Sequence, residues 1–348
     1  MERRWRHAVS CRGVTIRTSM IAGGIHSRPA VHRWRRTASG HAPGLDRAGV
    51  DLALYRTIAR QGGVFTTEQA RESHSDREIR LLVSSGRWRR TRWRGVLADA
   101  ELPDSPALQV RAAARVVGPD LVACSSTAAL LWGFDVLGDD TLHFLGPPSV
   151  ANRRRPGIQV HPSVLGTDDA LLVGGVWCTP PARTACDVVR TTAPIDGLAT
   201  LDAALATREC TRAELATAAE QQRGLREVSR LRRLVPHANG LAASPMESRM
   251  RWRFIDGGLP APDVQVRVLG DGRSCYLDTG WREQRVGAEY DGHAAHMTPE
   301  QLRDDRRRHN WLTEQRWTLL HVTAIDVYRE HAALVATAAR ALGVPLRR

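Results

Sequence analysis

The sequence predicts an α/β protein of the α+β, multi-domain kind, and three observations carry that prediction. At 348 residues the chain exceeds what one ordinary hydrophobic core takes up, so two or three domains are expected. Its apolar residues repeat with helical spacing in some blocks and alternate as in strands in others. Gly and Pro pairs and capping residues separate these blocks. The resulting divisions are an arm over residues 1–49 and domains over 50–100, 101–240 and 241–348.

The arm mixes Arg, Gly, Ser, Thr and His without apolar periodicity, which predicts disorder. It holds ten arginines against Glu2 and Asp46, so most of the net charge of +13 sits there. Two readings stand: a phosphate-binding tail, or upstream sequence ahead of a start at Met20. The six cysteines show no paired spacing for zinc or a disulfide framework, which makes a reducing cytoplasm the expected compartment. No stretch has the roughly 18 apolar residues of a membrane span, and Met20 to Ile25 is too short for a signal-peptide core. Every basic residue other than histidine is Arg, so lysine chemistry is excluded.

From Val50 the elements come in order. Leu52, Leu54, Tyr55, Ile58 and Ala59 make an amphipathic helix stopped by Gly62-Gly63. Thr66 with Gln69, and Ser75 with Glu78, are capping boxes for two further helices, the second closed by Gly86. The stretch from Arg87 to Ala98 then alternates bulky and basic residues as a hairpin does. Three helices and a basic ribbon are a winged-helix layout, in which the third helix enters the major groove and ribbon arginines meet phosphates. The candidate nucleic-acid contacts are therefore Arg87, Arg89, Arg90, Arg92 and Arg94. The alternative is a solvated hairpin with Trp88 and Trp93 packed on the domain.

Residues 101–240 read as mixed α/β. Strands are expected near Leu121–Cys124, Thr141–Leu145, Gly157–His161 and Leu171–Thr179. Helices follow, one entered at Pro180-Pro181 and another capped by Thr211 with Glu214. His143, His161, Asp187 and Arg153–Arg155 show no catalytic spacing and read as structural or solvated. The region is expected to connect domains or bind a partner.

The last block opens with Ser244-Pro245-Met246-Glu247, a helix start, and ends that helix at Gly257-Gly258. Strands are expected over Val264–Leu269, Cys275–Trp281 and Arg285–Asp291, a helix from Thr298-Pro299-Glu300-Gln301 to about Glu314, a strand over Trp317–Val322 and a closing helix near Ala332–Leu342. The order is αβββαβ. If Glu283-Gln284 is a two-residue loop, Trp281 pairs with Val286 and Asp278 faces Glu289. Two opposed carboxylates repel, and a divalent cation with oxygen ligands resolves the conflict. Alternation puts Asp291 on the same side as Glu289.

The stretch Ser244-Pro-Met-Glu247, Gly258-Leu-Pro-Ala-Pro262, Leu277-Asp278, Val286-Gly-Ala-Glu289-Tyr-Asp-Gly292, His296, Arg303-Asp-Asp-Arg306, Asn310 and Trp317-Thr-Leu-Leu320 resembles the actinobacterial Vsr-like endonuclease domain of the PD-(D/E)XK superfamily. Gly62-Gly-Val-Phe-Thr66, Ser85-Gly-Arg-Trp88 and Arg94-Gly-Val96 resemble the winged helix of AbiEi-type antitoxins. The first resemblance implies a restriction-endonuclease-like core and a metal-dependent, phosphodiester-hydrolysing endonuclease. Glu247, Asp278 and Glu289 would hold Mg²⁺ or Mn²⁺. Asp291 and His296 would be further catalytic groups, the histidine standing in for the missing lysine by moving a proton. Gln301 and Arg306 are the other neighbours considered, with Arg306 also a nucleic-acid contact. The second resemblance implies the alternative, an antitoxin or transcriptional regulator of a type IV toxin–antitoxin system whose nuclease fold has lost catalysis. The partners implied are DNA, with RNA left open, and a cognate toxin; no membrane partner is expected.

Overall fold

A computed structural model describes residues 52–118, 121–148, 156–163, 170–292 and 299–346. The expected arm, Arg153–Arg155 and His296 lie outside the described residues.

The first domain runs α1 (Leu52–Arg60), β1 (Val64–Thr66), α2 (Thr67–Arg71), α3 (Asp76–Ser84), β2 (Trp88–Arg90) and β3 (Val96–Asp99). Both predicted capping boxes form: Gln69 N–H donates to Thr66 Oγ1 at 3.1 Å, and Glu78 Oε2 accepts from Ser75 N–H at 2.7 Å. Each satisfies orphan amides at a helix start, so these helices begin where the sequence says. Strand β1 was not anticipated, because three residues carry no periodicity. It exists by pairing with β3, Val64 opposite Ala98, which makes the sheet order β1-β3-β2. Gly63 feeds it at φ 91°, and a Cβ there would collide with the Leu102 side chain. Leu54, Ile58, Phe65, Ile79, Leu82, Trp88 and Leu97 form the core beneath the helices.

Helix α4 (Pro106–Val117) packs on β1 and β3 and leads into a five-stranded sheet of order β6-β5-β4-β8-β7. Its strands are β4 (Val122–Ala123), β5 (Leu142–Gly146), β6 (Ile158–Pro162), β7 (Leu171–Val173) and β8 (Val176–Cys178), with α5 (Ser125–Trp132) after β4. The segment read as one strand from Leu171 to Thr179 is a hairpin. Gly174 and Gly175, at φ 55° and 84°, make the two-residue turn that reverses it. Helices α6 (Pro181–Thr191), α7 (Pro194–Thr207), α8 (Arg212–Gln221) and α9 (Val228–Leu234) complete this region.

The C-terminal block is α10 (Pro245–Asp256), β9 (Asp263–Gly270), β10 (Arg273–Trp281), β11 (Val286–Tyr290), α11 (Pro299–Glu314), β12 (Thr318–Val322), a short α12 (Ala324–Tyr328) and α13 (His331–Leu342). The sheet order is β12-β11-β10-β9, antiparallel from β9 to β11 and parallel between β11 and β12. This is the expected αβββαβ order. Trp281 pairs with Val286 and Thr279 with Ala288, the register anticipated from the loop. The reversal spans residues 282–285 rather than Glu283-Gln284 alone: Arg285 N–H donates to the Arg282 carbonyl at 3.3 Å, and the positive-φ residue is Arg285, at 52°.

One buried cluster runs through residue 240 without a break. It joins Leu198, Leu201 and Leu234 of the middle helices to Met250, Phe254, Trp281 and Leu334 of the last block. Helix α10 lies against α7, and Arg251 meets Asp202 there at 2.7 Å, with both side chains almost fully buried. The helix that carries Glu247 is thereby fixed to the middle region as firmly as to its own sheet. Among the described residues no helix is long and apolar enough to cross a membrane.

Candidate nucleic-acid interface and acid cluster

On the outward side of α3, Arg77, Arg80, Leu81 and Ser84 are all exposed, and their spacing puts them in one stripe. Leu81 is 66% exposed, an apolar side chain set between arginines on a helix whose Ile79 and Leu82 are buried. The ribbon next to it divides its arginines. Arg90, Arg92 and Arg94 are exposed, and Arg92 lies over the Trp93 ring at 4.6 Å. Arg89 turns inward instead: it is half-buried, its Nη1 lies 3.7 Å from Asp104, and its Nε and Nη2 have no partner. The two tryptophans explain the split. Trp88 is buried against Phe65 and His74, and Trp93 donates from Nε1 to the Gln109 carbonyl at 3.1 Å. Pinned at both ends, the ribbon has one face on the protein and one face free.

In the C-terminal block, Asp278 of β10 feels the charges of Glu247 from α10 and Glu289 from β11. Burial pushes the Asp278 carboxyl up to about 6, the Tyr290 N–H opposes that shift, and the charges of Glu247 and Glu289 add to it. Each acid already has a partner. Glu247 Oε2 accepts from Ala243 N–H at 2.9 Å and from the Gln265 amide at 3.1 Å. Asp278 Oδ2 accepts from Tyr290 N–H at 2.8 Å. Glu289 takes both Nη groups of Arg308, Nη1 at 2.6 Å, and Arg308 Nη2 also donates to the Tyr276 carbonyl at 2.9 Å.

Two of these residues were not anticipated. Gln265 stands in mid-strand at φ 50°, a left-handed conformation that a β-strand does not ordinarily hold, and that twist accompanies its amide's bond to Glu247. Arg308, not Arg306, makes the contact with Glu289, and Arg306 is exposed. A helical count would have helped, since Arg308, Trp311 and Leu312 share one face and the last two are buried. Asp291 pairs with His321 Nδ1 at 3.0 Å, and His321 lies on β12 opposite Glu289.

The expected Mg²⁺ or Mn²⁺ can be tested against this arrangement. Among the described residues no group of three His, Cys, Asp or Glu side chains is placed to hold an ion. Both oxygens of Glu289 face a guanidinium, and an ion bound to the same carboxylate would be repelled by that charge. The residues as arranged do not fit a shared divalent ion.

In the middle region the histidines that sequence left without partners have each other. His143 Nδ1 lies 3.0 Å from His161 Nε2, and His143 Nε2 lies 2.9 Å from Asp139. Burial lowers the His161 pKa, and its neighbour His143 lowers it further. They line a cavity of about 740 Å³ with Arg183, Asp187 and Arg190.

Comparison with known proteins divides along these lines. The family model described as "Transcriptional regulator, AbiEi antitoxin" matches residues 53–98, the helices and ribbon. The model described as "AbiEi antitoxin C-terminal domain" matches residues 121–237, from β4 to the end of the middle helices. Neither of the two extends into the acid-bearing block. Two curated relatives, uncharacterized protein MT2308 of Mycobacterium tuberculosis (strain CDC 1551 / Oshkosh) and uncharacterized protein Rv2248 of Mycobacterium tuberculosis (strain ATCC 25618 / H37Rv), are each 39% identical over 253 residues. The aligned part covers 72% of this chain and 91% of each relative.

Proposed function

The chain belongs to the family of these two mycobacterial proteins and carries two AbiEi antitoxin-family domains, and from this we propose that it is a DNA-binding regulator of the AbiEi antitoxin kind. The observation that carries the reading is the position of the two domain matches. One falls on the helices and ribbon and the other follows beyond α4, so a reading unit and an antitoxin unit stand in series. In this proposal α3 enters the major groove, with Arg77 and Arg80 as candidates for guanine edges and Leu81 for a thymine methyl. Arg90, Arg92 and Arg94 hold the phosphates. The middle region is the surface for a cognate toxin. Duplex selection from a random pool, followed by anisotropy titration of the full chain, tests this. A recovered sequence bound about 10³-fold or more over random duplex supports the proposal, and a pool without enrichment refutes it.

A second reading has one observation in its favour: in the αβββαβ block the charges of Glu247 on α10 and Glu289 on β11 both act on Asp278 of β10. Under it the C-terminal block hydrolyses phosphodiester bonds. Incubation with labelled duplex, in EDTA and with Mg²⁺ or Mn²⁺, beside Asp278→Ala, decides it; cleavage equal in the two proteins would assign the activity elsewhere.

A further inference from the structure

The cavity of the middle region has two polar walls and an apolar one. On β5 and β6, His143, Leu145 and His161 line it, while the alternate residues Phe144 and Val160 are buried in the core. Asp139, His143 and His161 form a chain, with His143 Nε2 at 2.9 Å from Asp139 and His143 Nδ1 at 3.0 Å from His161 Nε2. Against its burial, Thr141 N–H and His143 hold the Asp139 carboxyl below the usual carboxylate range, so it is ionised and can only accept. With both rings neutral, one assignment of protons satisfies every contact. His143 donates from Nε2 to Asp139 and accepts at Nδ1 from His161 Nε2, which leaves a lone pair on His161 Nδ1. Burial and the neighbouring His143 lower the His161 pKa, which keeps that ring neutral.

Helix α6 supplies the other polar wall. Its Arg190 is committed at every nitrogen: Nε to Gln222 at 2.6 Å, Nη1 to the Arg226 carbonyl at 3.1 Å and Nη2 to Asp187 at 3.0 Å. Asp187 also accepts from the Gln222 amide at 2.8 Å. Arg183 is not committed. It approaches Asp187 through Nε at 3.5 Å, donates no hydrogen bond among the described residues and is half-buried on the cavity wall. The Asp187 charge acts on His161, so the two polar walls face across one space. Leu137, Leu145 and Leu225 make the apolar wall, and a volume of about 740 Å³ is that of a pocket for a small organic molecule. The lining thus calls for an acceptor opposite the guanidinium and a donor opposite the imidazole nitrogen. We propose that the cavity binds a small ring-bearing anion, its phosphate or carboxylate held by Arg183 and an N–H or O–H at its other end donated to His161 Nδ1. A guanidinium fork takes either acid edge to edge, and the leucines take the ring.

The test uses the full chain and three probes: inorganic phosphate, adenosine monophosphate and para-hydroxybenzoate. Titration calorimetry should show one of the two ring-bearing probes binding at least about tenfold more tightly than inorganic phosphate, and which of them binds tells phosphate from carboxylate. Arg183→Ala and His161→Phe should each weaken that binding by about tenfold or more. Asp187 keeps Arg190 and Gln222 when Arg183 is removed, so Arg183→Ala should fold. In protein labelled with nitrogen-15 at histidine, the His161 ring should be neutral at neutral pH with its proton on Nε2, its signals assigned by their loss in His161→Gln. If His161→Phe does not fold, Arg183→Ala and the wild-type tautomer still decide. Equal binding of all three probes would overturn the proposal, as would binding that survives Arg183→Ala or a His161 proton on Nδ1. Absence of binding by every probe at roughly 10 mM would overturn it too. These readouts do not involve DNA, so failure of either functional reading is seen separately.

Discussion

Replacing Arg90, Arg92 and Arg94 together by Ala is the perturbation that most directly probes the proposed DNA interface. All three are exposed on the free side of the ribbon, whereas Arg89 is half-buried beside Asp104. Each phosphate contact contributes about 0.9 to the slope of log affinity against log salt, so losing three flattens the slope by about 2.7. Over a rise from about 50 to about 200 mM salt, wild type then weakens by about fortyfold more than the variant does. Anisotropy titration of a fluorescent duplex at four or five salt concentrations measures this. Arg89→Ala is the control: it should leave the slope where it was, because that side chain faces the protein. A triple variant with the wild-type slope would refute the assignment of phosphate contact to the ribbon. An Arg89→Ala variant that flattens the slope by a full contact would refute the inward placement of Arg89.

Asp278→Asn should stabilise the fold at neutral pH. A carboxyl held at about 6 against an ordinary 3.8 is protonated in the folded state while the unfolded chain has already ionised, so its penalty is absent below about pH 3.8, grows as pH rises, and is complete above 6. Full burial would make this about 3 kcal/mol; screening at a partly exposed site leaves about 1.5 kcal/mol. Denaturant midpoints at pH 7.5 and 3.5 check it, and an equal gain at both would reject the cause. Gly63→Ala should cost well over 1 kcal/mol, since φ 91° and the Leu102 side chain both oppose a Cβ; an unchanged melting curve would contradict that turn. Arg251→Ala leaves Asp202 buried and uncompensated and should cost about 3–5 kcal/mol in urea unfolding, with a loss below 1 kcal/mol arguing against the buried pair.

What the sequence by itself determined is what short-range geometry sets. The capping boxes at Thr66, Ser75 and Thr211 close over three residues, so their donors and acceptors are fixed once the helix starts. The register of Trp281 on Val286 likewise followed from the alternation of two adjacent strands around one turn. The order αβββαβ was legible because each block is long enough to show its period. Strand β1 was not, being three residues whose identity comes from pairing with β3, roughly thirty residues on, whereas the Gly174-Gly175 reversal joins adjacent strands and its Gly-Gly pair is itself a local hairpin signal.

The choice among arginines was decided only in three dimensions. Successive helical residues turn by about 100°, so Arg306 and Arg308 point to nearly opposite sides of α11. The docking of Trp311 and Leu312 into the core of β9 and β10 turns Arg308, not Arg306, toward Glu289. His143 and His161, eighteen residues apart, meet because β5 and β6 lie side by side in parallel, and Asp291 meets His321 because β12 lies beside β11. Each of these contacts joins residues whose separation in sequence carries no signal. Their meeting is set by how helices and strands pack, and the packing is fixed by buried apolar surface far from the charged groups it brings together.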